Sequence, residues 1–241
     1  MVNLNSNSDK DSNGNNNNNT KIWIYVDGQK SLATPNLDIG HNVYGERLIQ
    51  DSHKEFRQWD AYRSKLAAAI HKGIQNLPFV NGTRVLYLGA STGTTVSHIS
   101  DIVGNGGIVF AVEPAIRVAR ELLENVATRR YNIIPIVEDG RKPRSYYSIF
   151  GTVQVVYCDI AQPDQTDIAI ENCRVYLERG GVLLLVVKSR SIDVVKAPKV
   201  VIKEEAQKLE SNGFMIKQVI DLEPYDKDHG MIYAIFARKD E

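Results

Sequence analysis

An apolar, β-prone run that stops at a glycine constrains the fold of this chain more than any other feature. Residues 85–88 form the run, Gly89 ends it, and the small residues up to Thr95 are suited to opening a helix. Glu113 follows the next apolar run, at residues 108–112. In doubly wound α/β folds, glycines in such a loop let the backbone approach a ligand, and the acidic side chain accepts hydrogen bonds from ribose hydroxyls. The pattern predicts a site for a nucleoside-type cofactor.

The glycine loop lacks the sequence signatures of phosphate binding. It has neither the G-K-[ST] ending of a P-loop nor the G-x-G-x-x-G of the dinucleotide fingerprint. A cofactor with a ribose and no phosphate groups is therefore favoured, and S-adenosylmethionine fits this description. Taken alone, the loop has a second interpretation, in which it is a glycine turn with a purely structural role.

Strands and helices alternate from residue 84 onward. The strands are predicted at 84–88, 107–112, 132–137, 153–158, 182–188, 214–220 and 231–237, and the helices at 94–103, 115–129, 163–178 and 197–212. The first five strands show no polar alternation, as expected for parallel strands covered on both faces. The connection between the last two is too short for a crossover helix, so these strands should form an antiparallel hairpin. This is the Rossmann-like, seven-stranded α/β fold of the class I S-adenosylmethionine-dependent methyltransferases.

The rest of the chain divides into three segments. Residues 1–20 are rich in asparagine and poor in apolar side chains, which predicts a disordered tail. Residues 21–55 contain short β-prone pieces separated by turn residues and predict a small N-terminal β-rich module. Residues 56–76 have a helical pattern and open the methyltransferase domain, predicted over 56–241.

Composition limits the environment and the partners. Cys158 and Cys173 are too few for a disulfide framework, so we expect a reducing compartment, the cytoplasm. The cysteines and the five histidines show no metal-ligand spacing, and no apolar run approaches the roughly 18 residues that span a bilayer. Neither a metal nor a membrane is therefore expected, and the polar N-terminus has no signal-peptide pattern.

Polar residues follow the predicted parallel strands where each strand ends. They are Gly89, Glu113, Asp139-Gly140, Asp159 to Gln162 and Lys188, with His229 in the turn before the last strand. Ligands of doubly wound sheets bind at the carboxyl ends of the strands, so these residues should share one rim. The alternative explanation is that strand ends are polar because they lead into solvated loops. It accounts well for one or two such positions but poorly for six together.

Asp159 and Lys188 each emerge directly from an apolar strand. One interpretation is a satisfied ion pair with a structural role. The other is a pair that orients or deprotonates a weak nucleophile, such as a sugar hydroxyl. A lysine with a second cation nearby is suited to engaging that proton.

Several strings of this sequence closely resemble the archaeal fibrillarins, in the expected order, from about residue 21 to the end. The matching strings lie at 44–47 (YGER), 59–69 (WDAYRSKLAAA), 85–89, 94–98, 159–163 (DIAQP), 188–194 (KSRSIDV) and 223–229 (EPYDKDH). The resemblance implies an S-adenosylmethionine-dependent RNA ribose 2′-O-methyltransferase, acting on rRNA or tRNA in a C/D-box ribonucleoprotein. The implied partners are the C/D-box guide RNA, the target RNA, a Nop-family scaffold protein and a kink-turn-binding ribosomal-type protein.

The resemblance also assigns site residues. Its catalytic set maps onto Lys65, Asp159, Lys188 and His229. Its cofactor contacts map onto Gly89, Ala90, Gly93, Thr94, Thr95, Glu113, Pro114, Asp139, Gly140, Asp159 and Gln162. The chain departs from the family pattern in its glycine loop, at Pro114 in place of an aromatic residue, and at Gly140 in place of alanine. None of these changes removes a catalytic group, but they affect the shape of the cofactor pocket.

Two other functions stay open at this point. The chain could methylate protein, as a histone-like glutamine methyltransferase, or it could be a catalytically weak scaffold subunit of the same particle. Its 29 basic and 29 acidic residues cancel, whereas proteins that hold RNA alone usually carry a basic excess. We therefore expect weak RNA binding by the isolated chain and delivery of the substrate by an assembly.

Overall fold

Two β-sheets organise the chain in the computed structural model, which describes residues 22–237 apart from positions 27, 52 and 150. The expected tail at 1–20 lies outside the described residues. Cys158 and Cys173 are both buried free thiols. Within the part of the chain described here, no helix has the length and apolar character needed to cross a bilayer.

The smaller sheet is antiparallel throughout. Its strands are β1 (Trp23–Val26), β2 (Gln29–Pro35), β3 (Leu48–Asp51) and β4 (Lys54–Gln58), in the spatial order β1-β2-β4-β3. A small apolar cluster of Ile24, Ala33, Ile49 and Phe56 packs within it. Such a small cluster cannot stabilise a sheet alone, so packing against the rest of the molecule matters.

The larger sheet has seven strands in the order β10-β11-β9-β8-β5-β6-β7. Its strands are β5 (Arg84–Leu88), β6 (Ile108–Val112), β7 (Ile133–Ile136), β8 (Val153–Cys158), β9 (Leu177–Lys188), β10 (Phe214–Asp221) and β11 (His229–Phe236). The helices are α1 (Lys65–His71), α2 (Thr94–Val103), α3 (Ile116–Asn125), α4 (Gln165–Tyr176), α5 (Ser189–Ile192) and α6 (Pro198–Ser211), with short 3-10 helices at Ala127–Arg129 and Pro143–Ile149. Apolar clusters cover both faces.

The strand directions confirm the predicted fold class. Strands β5 to β9 pair in parallel, and β11 pairs antiparallel with both β9 and β10. The uninterrupted apolar runs of the central strands were the informative signal, because helices cover both faces of a parallel sheet.

The prediction of a helix over 56–76 is wrong at both ends. Strand β4 occupies Lys54–Gln58, and helix α1 covers only Lys65–His71, with Ser64 as its N-cap. Arg57 in this strand is fully buried among polar partners, which a helical pattern of apolar residues does not reveal. Strand β4 also crosses the expected boundary between residues 55 and 56, and the division into domains stays a prediction.

A buried ionic network joins the small sheet to helix α2. The Arg57 side chain pairs with Glu46, donates from Nε to Asp101 Oδ2 at 2.9 Å, and donates from a terminal nitrogen to Ser97 Oγ at 2.8 Å. Arg130 pairs with the other oxygen of Asp101. Charges this deeply buried are tolerated only when paired and hydrogen-bonded, so the network fixes one docking geometry for the sheet.

Thr34 and His98 extend the network. Thr34 Oγ1 donates to Asp101 Oδ2 at 2.8 Å and lies 2.8 Å from His98 Nδ1, while His98 Nε2 lies 2.8 Å from the Tyr44 hydroxyl. Burial, followed by the positive charges of Arg57 and Arg130, holds the pKa of His98 well below its ordinary value. The neutral ring therefore donates from Nδ1 to Thr34 and accepts from Tyr44 at Nε2, an assignment that follows from the network.

Replacing Arg57 tests this network. Arg57→Leu leaves buried Glu46 and part of Asp101 without a compensating cation, so the free energy of unfolding should fall by about 3–5 kcal/mol. Urea denaturation followed by circular dichroism measures the change. Arg174→Leu, which removes an exposed guanidinium paired with Glu171, is the matched control and should shift the midpoint little. Equal stability of the two variants would contradict the proposed role of the network.

Candidate active site

Asp159 lies between two lysine side chains. Lys188 Nζ lies 2.8 Å from Asp159 Oδ1, and Lys65 Nζ donates to Asp159 Oδ2 at 3.3 Å. Lys188 Nζ also donates to the carbonyl oxygen of Asp159 at 3.0 Å. Within the described residues, Oδ1 accepts no aligned hydrogen bond although it is buried, so its contact with Lys188 is an ion pair. One carboxylate thus orients two amines at the end of the sheet.

Strand pairing brings Asp159 and Lys188 together. Strands β8 and β9 are adjacent and parallel, so their carboxyl ends meet at one edge. The buried Gln165 side chain accepts from the Lys188 backbone N–H at 3.1 Å and donates to the Gln162 carbonyl at 2.9 Å. Gln165 therefore fixes the backbone at Lys188 and at Gln162, on the two sides of the cluster formed by Asp159, Lys188 and Lys65. No sequence pattern had indicated Gln165.

Lys65 reaches the same carboxylate from a different element. It is the first residue of α1, and the N-cap side chain Ser64 accepts from the Ala67 backbone. Thr95 Oγ1 donates to Ser64 Oγ at 3.0 Å. Thr95, which is predicted to contact the cofactor, thus also supports the start of the helix that carries Lys65.

His229 joins the cluster through Asp226. His229 Nδ1 lies 2.9 Å from Asp226 Oδ1 and 2.6 Å from the Lys227 carbonyl oxygen, and Lys65 Nζ lies 3.7 Å from Asp226 Oδ2. The register of β11 against β9 also places His229 opposite Lys188. Asp226 was not predicted from sequence, although its position three residues before His229 could have indicated it.

Opposing effects act on the pKa of His229 and on the pKa of Asp226. Burial opposes the charged form of His229, but the hydrogen bonds to Asp226 and Lys227 and the Asp226 charge outweigh it and raise the pKa of His229. Burial likewise opposes the charge of Asp226, but the hydrogen bond and charge of His229, with Lys65, lower the pKa of Asp226. The histidine is thus biased toward the imidazolium form.

A cavity of about 250 Å³ adjoins Asp159 and Lys188. Its lining consists of Gly89, Ser91, Val112, Glu113, Pro114, Asp139, Gly140, Arg141, Asp159, Ile160, Ala161, Gln162, Ile168 and Lys188. It therefore combines apolar walls with three carboxylates, Glu113, Asp139 and Asp159, each of which follows a strand of the large sheet. Among the described residues, no group of three or more His, Cys, Asp and Glu side chains is arranged to hold a metal ion.

Gly89 and Glu113 shape one end of this cavity. Gly89 has φ +81°, and a Cβ there would lie 2.7 Å from the Asp159 carbonyl oxygen, so only glycine fits. Glu113 accepts from the backbone N–H groups of Ser91 at 2.9 Å and Ala115 at 3.0 Å. These bonds fix the carboxylate in place and leave acceptor sites for a ligand's hydroxyl groups.

Arg141 organises the opposite end. Its guanidinium binds both oxygens of Asp164 at 2.9 Å and donates to Gln162 Oε1 at 3.0 Å, while its backbone N–H donates to Asp139 Oδ1 at 3.0 Å. Arg141 links the loops after β7 and β8. Sequence reasoning missed it because its role depends on the distance between two loops.

Four residues predicted to contact the cofactor are not part of the cavity lining: Ala90, Gly93, Thr94 and Thr95. Gly93 has a packing role, because a Cβ at that position would lie 2.7 Å from Leu122 Cδ1 and 2.8 Å from Val126 Cγ2. Helix α3 therefore approaches the glycine loop closely, and Thr94 and Thr95 begin helix α2 beside it.

The comparisons with known proteins agree with this architecture. The family model described as Fibrillarin matches residues 14–238. The "Fibrillarin-like rRNA/tRNA 2′-O-methyltransferase" of Saccharolobus islandicus is 55% identical over 208 residues, which are 86% of this chain and 89% of that protein.

Solved fibrillarin structures also match. Aeropyrum pernix fibrillarin, in complex with natively bound S-adenosyl-L-methionine, aligns with a TM-score of 0.80 and 48% identity over 86% of this chain and 90% of its own. The chain from a fibrillarin/Nop5p complex aligns with a TM-score of 0.78 and 38% identity over 88% of this chain and 96% of its own.

The contact between Asp226 and His229 predicts a pH effect. Because the folded-state pKa of His229 is raised, stabilisation by its protonated ring is fully present below the ordinary histidine value and is lost as the pH rises through the raised value. Asp226→Asn removes the negative charge, so the pKa of His229 should fall, as measured by NMR titration of its ring protons. Asp167→Asn, at an exposed pair with Lys208, is the control. An unmoved His229 titration in Asp226→Asn would refute the coupling.

Proposed function

The chain belongs to the fibrillarin family, and on this premise we propose that it transfers the methyl group of S-adenosylmethionine to ribose 2′-hydroxyls of rRNA or tRNA. The observation that carries the proposal is the Asp159–Lys188 contact at the edge of the cavity that Glu113 lines. It combines a candidate proton acceptor with a cofactor pocket. The matching names of the Saccharolobus relative and the cofactor bound to the Aeropyrum protein support the same activity.

The cavity residues fit this cofactor. The fixed Glu113 carboxylate suits ribose hydroxyls, and the Gly89 backbone leaves room that any side chain would fill. Val112 and Ile160 also line the cavity and would supply apolar contacts to the adenine. Pro114 also lines the cavity, so it retains an apolar surface at the position where the family has an aromatic residue.

Lys188 has the central role in the proposed mechanism. When bound, the cofactor supplies an electrophilic methyl group on a sulfonium centre. Once Lys188 has released its ammonium proton to water, its amine accepts the proton of the 2′-hydroxyl while that oxygen forms its bond to the methyl carbon. The bond between the methyl carbon and the sulfur breaks in the same step, so the sulfur would leave as a neutral thioether. The proton ends on Lys188 Nζ, where Asp159 Oδ1, 2.8 Å away, balances the charge. Correct positioning of the two reactants supplies most of the acceleration in such a displacement.

Lys65 and His229 have positioning roles in this proposal. Lys65 contacts both Asp159 and Asp226, so it connects the carboxylate beside Lys188 to the carboxylate beside His229. The imidazolium of His229 then offers a positive charge and a donor to the RNA backbone. These contacts, with the intact cavity, favour a catalyst over the alternative of a weak scaffold subunit.

Partners complete the proposal. A homologous chain occurs in a complex with Nop5p, which supports a Nop-family scaffold protein for this chain. We further propose the C/D-box guide RNA and the kink-turn-binding protein as members of the assembly, because a chain of zero net charge has little capacity to neutralise RNA phosphates alone. The buried free thiols of Cys158 and Cys173 suit a reducing compartment, for which we propose the cytoplasm.

Cofactor affinity should depend on Glu113. Glu113→Ala removes charge-assisted hydrogen bonds worth about 1.5–3 kcal/mol each, so S-adenosylmethionine should bind at least roughly tenfold more weakly. Isothermal titration calorimetry measures the affinity. Glu121→Ala, at an exposed position of helix α3, is the matched control and should bind like the unmodified chain. Unchanged affinity in Glu113→Ala would show that Glu113 does not bind the cofactor.

Methyl transfer should depend on Lys188. Lys188→Met leaves Asp159 paired with Lys65 and should preserve the fold and the cofactor affinity, while the transfer rate falls by roughly 10²–10⁴ because the proton acceptor is lost. Site-mapped 2′-O-methylation in the assembled complex measures the rate. Lys199→Met, at a highly exposed side chain, is the control. Full activity of Lys188→Met would contradict the role of Lys188 as the proton acceptor.

Substrate delivery should depend on the assembly. At physiological salt, we expect site-specific methylation of a guide-complementary RNA only when the scaffold protein, the kink-turn-binding protein and the guide RNA are all present. Omitting each component in turn identifies its contribution. Efficient, site-specific methylation by this chain alone would refute the expectation.

A further inference from the structure

A groove of about 780 Å³ lies between the small sheet and the end of the large sheet. We name it the aromatic groove and define it by Tyr44, Tyr62, His71 and Tyr225 in its lining. Aliphatic side chains also line it, but Leu32, Ile49 and Ala61 are buried. Its accessible surface is therefore mainly aromatic and polar.

Ring contacts connect three of the groove residues, Tyr62, Tyr225 and His71, in a row that continues to Trp23 outside the groove lining. The Tyr62 and Tyr225 ring centroids are 5.2 Å apart, those of Tyr225 and His71 are 5.4 Å apart, and those of His71 and Trp23 are 5.1 Å apart. Tyr62 is 69% exposed. Neighbouring rings hold each other in place, so the row presents aromatic surface to solvent with little rotamer freedom left to lose on binding.

Cations flank the row. Lys30 Nζ lies 4.6 Å from the centroid of the Trp23 ring, and the Arg63 guanidinium lies 5.6 Å from that of Tyr44. Over the residues that the structure describes, neither Lys30 nor Arg63 is paired with a carboxylate. These unpaired cations give the groove a capacity to bind an anionic ligand.

Two acidic residues also line the groove. Glu46 is paired with the buried Arg57, so its charge is compensated from the protein interior. Asp60 accepts from the Tyr62 backbone N–H at 2.8 Å and holds the turn that carries Tyr62. Lys30 and Arg63 in the lining therefore outnumber the uncompensated acid, Asp60.

Two groove residues lie on the segments that carry the candidate active site. Tyr225 directly precedes Asp226, which contacts Lys65 and His229. Tyr62 lies on the turn immediately before helix α1, whose first residue is Lys65. A ligand in the groove would therefore contact residues next in sequence to Lys65 and Asp226.

We propose that the aromatic groove binds unpaired nucleotides of the RNA that carries the target ribose. Their bases stack on Tyr62, Tyr225 and His71, and their phosphates lie near Arg63 and Lys30. Aromatic rings bind every base through its π-face, and nearby cations neutralise the backbone, which is the general chemistry of single-strand binding. The scarcity of exposed aliphatic side chains favours RNA over a protein partner. This inference rests on the proposed function.

Crosslinking and affinity measurements test the groove on the full chain. The probe is a fluorescein-labelled hexamer of uridine, followed by anisotropy at low ionic strength, where weak electrostatic binding is measurable. Tyr62→Ala should weaken binding at least roughly fivefold, and Tyr62→Phe should retain it, because stacking needs the ring and not the hydroxyl. Tyr131→Ala, at a tyrosine that is 99% exposed and outside the groove lining, is the control.

A second probe, the same hexamer with 5-iodouridine, maps the contact after irradiation and peptide analysis. Crosslinks to Tyr62, His71 or Tyr225 support the proposal. Equal binding by Tyr62→Ala and Tyr131→Ala overturns it, and so do crosslinks confined to other surfaces. Loss of scaffold-protein binding by Tyr62→Ala with unchanged RNA binding also overturns it, and identifies the groove as a protein interface.

Methylation assays separate this inference from the proposed function. If the assembled complex methylates its target ribose and Tyr62→Ala matches Tyr131→Ala in RNA binding, the groove proposal fails while the function stands. If the complex transfers no methyl group to RNA, the function fails regardless of where the hexamer crosslinks. Tyr62→Ala should raise the KM for the target RNA more than it lowers kcat, because Tyr62 does not contact the reacting atoms.

Discussion

The packing of the end of strand β8 against its neighbours is the constraint on which the site depends. The Asp159 backbone N–H donates to the Leu88 carbonyl at 2.9 Å, and its own carbonyl oxygen faces Gly89 so closely that a Cβ would lie 2.7 Å away. The same carbonyl accepts from Lys188 Nζ at 3.0 Å. The backbone of a single residue, Asp159, thus links three adjacent strands, so the cofactor cavity and the candidate catalytic pair cannot shift independently.

The buried network around Arg57 fixes the position of the small sheet, which borders the aromatic groove. It holds the small sheet against helix α2 through Asp101, and the neutral His98 connects it to Tyr44 in the aromatic groove. Without this contact, the small sheet that forms one side of the groove would not be held in place. Helix α2 follows the glycine loop, while Thr95 near its start supports Ser64 and hence Lys65. Groove, cluster and cavity therefore share one rigid frame.

This arrangement divides the proposed reaction among neighbouring regions. The cavity holds the methyl donor, the Asp159–Lys188 pair engages the hydroxyl, and the groove accepts flanking nucleotides. Asp226 bridges the last two, because it contacts Lys65 and His229 and directly follows Tyr225. The zero net charge agrees with our proposal that this chain supplies chemistry and local contacts, while the assembly supplies most of the affinity for RNA.

The sequence by itself determined the large sheet, because apolar runs, glycines and connection lengths act locally and fix strand direction. It also indicated Glu113 and Lys188, since strand ends of a parallel sheet meet at one edge. Tertiary structure alone decided strand β4, where the buried charge of Arg57 is stabilised by partners distant in sequence. It also decided the position of Arg141, whose role depends on the distance between two loops, and the contact of Asp226 with Lys65, which is distant in sequence. Local patterns encode periodicity, whereas ion pairs between remote segments exist only after the chain has folded.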